Sequence, residues 1–305
     1  MEMNERVQQF LEEVFSTNEL NRLPASHGGG RIFSAPLIGV SRGDDPIFQK
    51  FKEVIAPRHL TPAEMWVASG LPEDADLASD LRILSIVCPY TERIREESIG
   101  ATEVPAEIYC IGRNHANPFK IDVLRKTIEY FQEQGFRATA GMLSDAFSIY
   151  PGFYSTWSER HIAFAAGLGT FSLHEGLITE AGCNVRLCSV ITDSPLEVSP
   201  RRSDDPRANC LYYAKGTCKK CVERCPIGAI TEKGHDKVKC RKLGSKIERI
   251  MNKRLGPILK PHYRRIDGQY FKQRPPVGCA FCQFGVPCMD KNPMASNTIE
   301  SITSK

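Results

Sequence analysis

The sequence predicts an α+β protein, a mixed α/β layer domain followed by a cysteine-dense domain, on three observations. Apolar segments of strand-like and helix-like periodicity intermingle through the first two hundred residues, with hairpin-like strand pairs late in that stretch. Eight of the twelve cysteines fall in the last third of the chain. Arg201, Arg202, Ser203, Asp204, Asp205 and Pro206 form a polar, linker-like stretch between the two parts. At 305 residues the chain is long enough for two domains. The expected organisation is a helix and loop over residues 1–30, an α/β domain over 31–200, a cysteine domain over 206–292 and a polar tail over 293–305.

Val7, Phe10, Leu11, Val14 and Phe15 recur at helical spacing, so residues 4–16 read as an amphipathic helix packed on the body. Gly28, Gly29 and Gly30 lack both the phosphate-loop Lys-Ser/Thr and the Gly-x-Gly-x-x-Gly spacing, and no ligand is assigned to them. A strand is expected over 32–40, and Asp44, Asp45 and Pro46 mark a helix start. Residues 81–87 and 106–111 are apolar, partly β-branched and short, as buried strands are. Asn117 as N-cap and Pro118 at the first helical position predict a helix to Gly135 with Ile121, Leu124, Ile128 and Phe131 inward. Residues 136–143 return as strand. A second helix runs from Ser155 or Ser158 to Ala166 and ends at Gly167, Leu168 and Gly169, with strands over 176–179 and 185–193 after it.

The most specific chemistry lies in Cys218-x2-Cys221-x3-Cys225-Pro226, the end of the bacterial ferredoxin run C-x2-C-x2-C-x3-C-P. Lys215 stands where the first cysteine of that run belongs, and Cys210 is the nearest replacement. A second group follows as Cys240, Cys279, Cys282 and Cys288. In two-cluster ferredoxins the last cysteine of each run serves the other cluster. By that rule one [4Fe-4S] cluster takes Cys210, Cys218, Cys221 and Cys288, and the other takes Cys225, Cys240, Cys279 and Cys282. Pro226 suits a first helical position past the crossing cysteine, whereas Pro287 precedes its cysteine and departs from the pattern. Closing the Cys240 to Cys279 loop costs roughly 3 kcal/mol, less than the about 10 kcal/mol available from four-thiolate ligation. Zinc also takes C-x2-C pairs, but zinc ribbons need no third cysteine four residues on with a proline behind it. Cys88 and Cys110 read as small core hydrophobes, and Cys183 and Cys188 as minor ligand candidates.

Residues 241–278 hold eleven Lys and Arg against Glu248 and Asp267, an excess larger than the net charge of +4. That stretch could dock an acidic electron donor or a nucleic-acid backbone, or offset the charge of nearby thiolates. No run approaches the roughly eighteen apolar residues of a membrane span. With no signal-peptide pattern at the N-terminus, a reducing, cytoplasmic compartment is expected.

The segment from Trp157 through Arg160, His161 and Ala166 to Gly167, Leu168 and Gly169, the strand ending Val190 to Leu196, and the following cysteine groups together resemble the epoxyqueuosine reductase family, which is related to the reductive dehalogenases. The resemblance covers residues 80–290. It implies a nitroreductase-like domain that binds cobalamin base-off, followed by the two-cluster ferredoxin-like domain. Electrons from a reduced ferredoxin- or flavodoxin-type donor would pass through both clusters to Co(I), which acts on a small organic substrate or a modified tRNA. No histidine has an Asp two residues before it, which fits base-off binding and equally fits no corrin. Gly167 and Gly169 would allow approach to a flat ligand or a tight helix exit, with Leu168, Arg160, His161, His174 and Glu175 around them. The family's catalytic Asp is replaced by Phe153 and Tyr154. Reductive dehalogenases use a tyrosine acid, and a phenol can protonate a developing anion, so Tyr154 is the candidate proton donor and Asp145 the second choice. The competing reading is a cobalamin-free electron-transfer protein.

Overall fold

A computed structural model of the chain describes residues 2–266 and 269–295. Helix α1 (Met3–Thr17) buries Val7, Leu11, Val14 and Phe15 as its spacing predicts, and the Glu5 carboxylate accepts from the Glu2 N–H at 3.3 Å at its start. Strand β1 (Leu37–Arg42) is followed by the short helices α2 (Ile47–Val54), α3 (Pro62–Ala68) and α4 (Leu77–Asp80). Thr61 and Glu64 cap α3 reciprocally, with Pro62 in its first turn. Next come β2 (Arg82–Pro89), α5 (Glu92–Ile99), the long α6 (Glu107–Glu133) and β3 (Ala138–Thr139). A small hairpin of β4 (Ile149–Tyr150) and β5 (Tyr154–Ser155) leads to α7 (Glu159–Ala165), β6 (Gly169–Phe171), β7 (Leu177–Thr179) and β8 (Val185–Thr192).

The central sheet has the order β1-β2-β8-β3 and is antiparallel at every pairing, with Val40 opposite Leu84 and Leu84 opposite Val190. Successive side chains point to opposite faces. Leu84, Ile86, Cys88, Cys188 and Val190 therefore enter one core with α1 and α6, and Ile83, Val87, Leu187 and Ile191 enter another with Phe48, Trp66 and Trp157. Both faces are covered, which is why these strands read as unbroken apolar runs.

Three expectations are corrected. Residues 106–111 are not a strand but the first turns of α6, where Ile108, Tyr109, Cys110 and Ile111 are all buried and only Glu107 faces out, too little to betray a helical period. The helix does not start at Asn117, and Pro118 lies inside it. A proline there removes the N–H that Asn114 O would accept. At that turn the chain takes on a tertiary contact instead. Lys260 N–H donates to Asn114 Oδ1 at 2.7 Å, Asn114 Nδ2 donates to Lys260 O at 3.2 Å, and His115 Nε2 meets Ile258 O at 3.2 Å. Residues 136–143 form strand only at β3, because a 3-10 turn at Gly141–Leu143 follows, with Gly141 against the Trp157 ring. The strand expected over 32–40 is β1, preceded by an isolated bridge between Phe33 and Tyr90.

Beyond Pro206 the chain makes α8 (Leu211–Lys215), α9 (Lys220–Glu223), the pair β9 (Ile230–Thr231) and β10 (Gly234–His235), and the basic helix α10 (Lys237–Leu255). The hairpin β11 (His262–Ile266) and β12 (Gln269–Gln273) follows, exposing Tyr263, Tyr270 and Phe271. The cysteine segment is stitched to the sheet layer by backbone bonds from Cys183 N to Cys288 O at 2.7 Å and from Asn184 N to Met289 O at 3.1 Å. Asp267 and the part of the polar tail after residue 295 lie outside the described residues.

Candidate metal centre

Cys210 caps α8, Gly216 reverses the chain with φ +68, and Cys218 and Cys221 follow at the start of and within α9. Cys288 comes from the far end of the segment, just past Pro287. Cys210, Cys218, Cys221 and Cys288 line one cavity, closed on its other sides by Leu173, Ile178, Leu211 and Val286. Cys210 and Cys221 are 7% and 8% exposed. Burial, then the neighbouring Cys288, Cys210 and Cys218, push the Cys221 thiol up to about 12.

Cys225, Cys240, Cys279 and Cys282 make a second electrostatic neighbourhood. Burial, and then Cys240 and Cys225, push Cys279 up to about 12. Burial followed by Cys279, Cys221, Cys240 and Cys225 raises Cys282 well above its ordinary range, so Cys282 also senses the first group. Cys225 Sγ accepts from Ala229 N–H at 3.2 Å. His235, held by Cys240 and Glu175, rises to about 9 and stands as a cation beside this group. Four sulfurs this close raise one another's pKa values and ionise together only around a cation. The donor set of each group thus fits a four-thiolate metal site.

Two groups that sequence spacing underrated stand beside Cys288. Cys183 Sγ is 3.8 Å from Cys288 Sγ, and a ring nitrogen of His174 lies within 4.8 Å of both sulfurs. Hydrogen bonding from Cys183, with His174 acting in the same sense, lowers the Cys288 thiol below its ordinary range, while Cys183 is driven up.

The residues named for a corrin and a substrate lie on several elements. Gly167 has φ +74 just past α7, and a Cβ there would fall 2.5 Å from Pro200 O. A Cβ at Gly169 would fall 2.3 Å from Ile178 O, and Leu168 packs over Gly39. The turn's glycines therefore admit the protein's own backbone. Arg160 donates to Glu175 O through Nη1. His161 is bonded through Nδ1 to Ser158 Oγ at 2.8 Å and wedged between Phe51 and Phe171, and burial lowers it to about 3. Tyr154 sits half-buried on the β4–β5 hairpin, stacked on Tyr150 at 5.4 Å, after Phe153 in the left-handed region at φ +64. Asp145 is exposed ahead of that hairpin. Among the described residues, Gly167, Leu168 and Gly169 line only a small cavity shared with Thr170, Glu180, Arg201 and Asn209, and these contacts leave no corrin-sized cradle there.

Sequence reasoning also missed Glu159, in the first turn of α7. Ser189 Oγ donates to Glu159 Oε2 at 2.6 Å and accepts from Trp157 Nε1 at 3.0 Å, while Oε1 is buried without a partner among the described residues. Burial raises its carboxyl to about 7. Nearby, Lys120 is buried on the inner face of α6 and donates to Leu187 O at 3.0 Å. Both look like surface charges in sequence, and only Lys120's position four before Leu124 hinted otherwise. Cys88, Cys110 and Cys188 are fully buried in the core.

No family model and no curated protein matches the chain. Solved structures do. A catabolic reductive dehalogenase superimposes with a TM-score of 0.47 at 15% identity, over 85% of this chain and 30% of that one. An epoxyqueuosine reductase gives 0.39 at 16% identity, over 95% and 71% of the two chains. The epoxyqueuosine reductase from Bacillus subtilis gives 0.38 at 17% identity, over 94% and 70%. These are the two enzyme families that the sequence motifs resemble, and the chain spans under a third of the dehalogenase's length.

Proposed function

We propose that this protein is an iron–sulfur reductase with two [4Fe-4S] clusters, one on Cys210, Cys218, Cys221 and Cys288 and one on Cys225, Cys240, Cys279 and Cys282. The observation that carries the reading is a single cavity lined by four cysteines drawn from both ends of the C-terminal segment. When bound, the clusters supply one-electron transfer at low potential. The chain's own part is to hold them, with Leu173, Ile178, Leu211 and Val286 keeping water from the first, and with Ala229 N–H and His235 stabilising negative sulfur at the second. Four thiolates suit zinc as well, and the C-x2-C-x3-C-P spacing favours iron.

Electrons would come from a reduced ferredoxin- or flavodoxin-type donor, for which the basic α10 and the neighbouring hairpin offer an opposite charge. The acceptor is an organic substrate, small or part of a modified tRNA, bound in the part of the chain before residue 200. Base-off cobalamin as the intermediate carrier does not fit the residues named for it, because Gly167, Gly169, Arg160 and His161 are occupied by the protein's own contacts. No step is derived through it. The same observation favours a second reading, a cobalamin-free electron-transfer protein.

Anaerobic reconstitution followed by iron, sulfide and cobalt analysis and spin resonance tests both. Eight irons per chain are expected, with about four lost in Cys218→Ala together with stability of the C-terminal segment. Zinc in place of iron, or an unchanged iron content in Cys218→Ala, sinks the cluster assignment. Stoichiometric cobalt after incubation with cobalamin would restore the corrin.

A further inference from the structure

We propose that His174 and Cys183 are positioning residues that donate hydrogen bonds to the Cys288 sulfur and thereby raise the reduction potential of the cluster that Cys288 ligates. The inference rests on the two-cluster reading and adds to it the residues that tune one cluster.

The tautomer of His174 follows from its surroundings. Gly176 N–H donates to His174 Nδ1 at 3.2 Å, so that nitrogen is an acceptor and the ring hydrogen stands on Nε2. Nε2 is buried and has no hydrogen-bond partner among the described residues. Such a donor is costly to leave unmade. A ring nitrogen of His174 and the sulfurs of Cys183 and Cys288 all lie within 4.8 Å of one another, so cluster sulfur is what Nε2–H has to bond. The ring packs against Gly176, where a Cβ would fall 2.5 Å from its Cε1.

Cys183 approaches from the other side. Its sulfur is 3.8 Å from Cys288 Sγ, its backbone N–H donates to Cys288 O at 2.7 Å, and it is 2% exposed. His174 and Cys288 line the four-cysteine cavity and Cys183 does not. Cys183 therefore stands behind the ligand and is not a fifth ligand, and because a metal-bound Cys288 is a thiolate with no proton to give, the Cys183 thiol is the donor of this contact. Hydrogen bonds to ligand sulfur favour the more negative, reduced state and so raise the potential.

The test is a redox titration followed by spin resonance on the anaerobically reconstituted full chain, comparing His174→Leu, His174→Gln, Cys183→Ala and Cys183→Ser with the wild type. Eight irons are expected throughout. One midpoint should move negative in His174→Leu and in Cys183→Ala, by about tenfold in the reduction equilibrium or about 59 mV for one electron. His174→Gln and Cys183→Ser keep a donor and should return toward the wild-type value. Eight irons with both midpoints unmoved in His174→Leu and Cys183→Ala overturns the inference and leaves the two-cluster reading standing. Loss of four irons in Cys183→Ala makes Cys183 a ligand and also overturns it. Fewer than eight irons in the wild type removes the reading beneath. If His174→Leu does not fold, the Cys183 pair decides alone.

Discussion

Glu159 shows how far one buried atom can shift a titration. Its carboxyl is raised to about 7 from an ordinary 4.5. The unfolded chain then gives up the proton first, so the stability this group contributes is complete below pH 4.5 and is lost as pH rises through 7. Glu159→Gln removes that titration. Its stability relative to the wild type should grow by about 3 kcal/mol between pH 4.5 and 7.5, followed by chemical denaturation across that window. A flat difference would mean that the carboxyl is ionised in the folded protein. His59 and His161, lowered by burial to about 4 and about 3, act in the opposite sense, destabilising the fold as pH falls below 6.5. Both remain in the variant and cancel in the comparison. None of these inward charges was legible, because a buried Glu, Lys or His carries the same letter as a solvated one, and only the packing around it sets its chemistry.

Among elements, α6 is where sequence and structure part. Pro118 and Asn117 carry every sign of a helix start, yet the helix begins after Ala106 and runs through them. Near-complete burial explains the misreading of residues 106–111, since four consecutive buried apolar residues, Ile108 to Ile111, imitate a buried strand. Pro118→Ala would return an N–H to Asn114 O and is expected to raise the melting temperature, by up to about 3 kcal/mol of stability. No gain would show that the contacts of Asn114 and His115 with residues 258–260 already compensate for the missing bond. The strands were easier. The sheet demands runs of β-branched and aliphatic residues at β2 and β8, and those runs are visible without any knowledge of their partners. The eight cysteines proposed as ligands could be picked out for a similar reason, because ligation chemistry would impose spacing on neighbours in sequence. His174 and Cys183 did not, since their relation to Cys288 exists only across the fold.

At the scale of the whole molecule, Gly182 marks one of the joints between the sheet layer and the cysteine segment. Gly182, at φ +80 between β7 and β8, has the backbone of Met289 against it, with a Cβ falling 2.4 Å from Met289 O. Gly182→Ala is therefore both strained and obstructed. It should destabilise the protein by more than about 2 kcal/mol and deplete iron preferentially from the cluster proposed on Cys288, as iron analysis of the purified variant would record. An iron content and unfolding midpoint equal to the wild type would deny the joint its importance. The placement of Cys288 also dictates an order in time. The cavity it shares with Cys210 gains its last wall only after every element between the two cysteines has been made, so whatever would fill it is acquired after those elements.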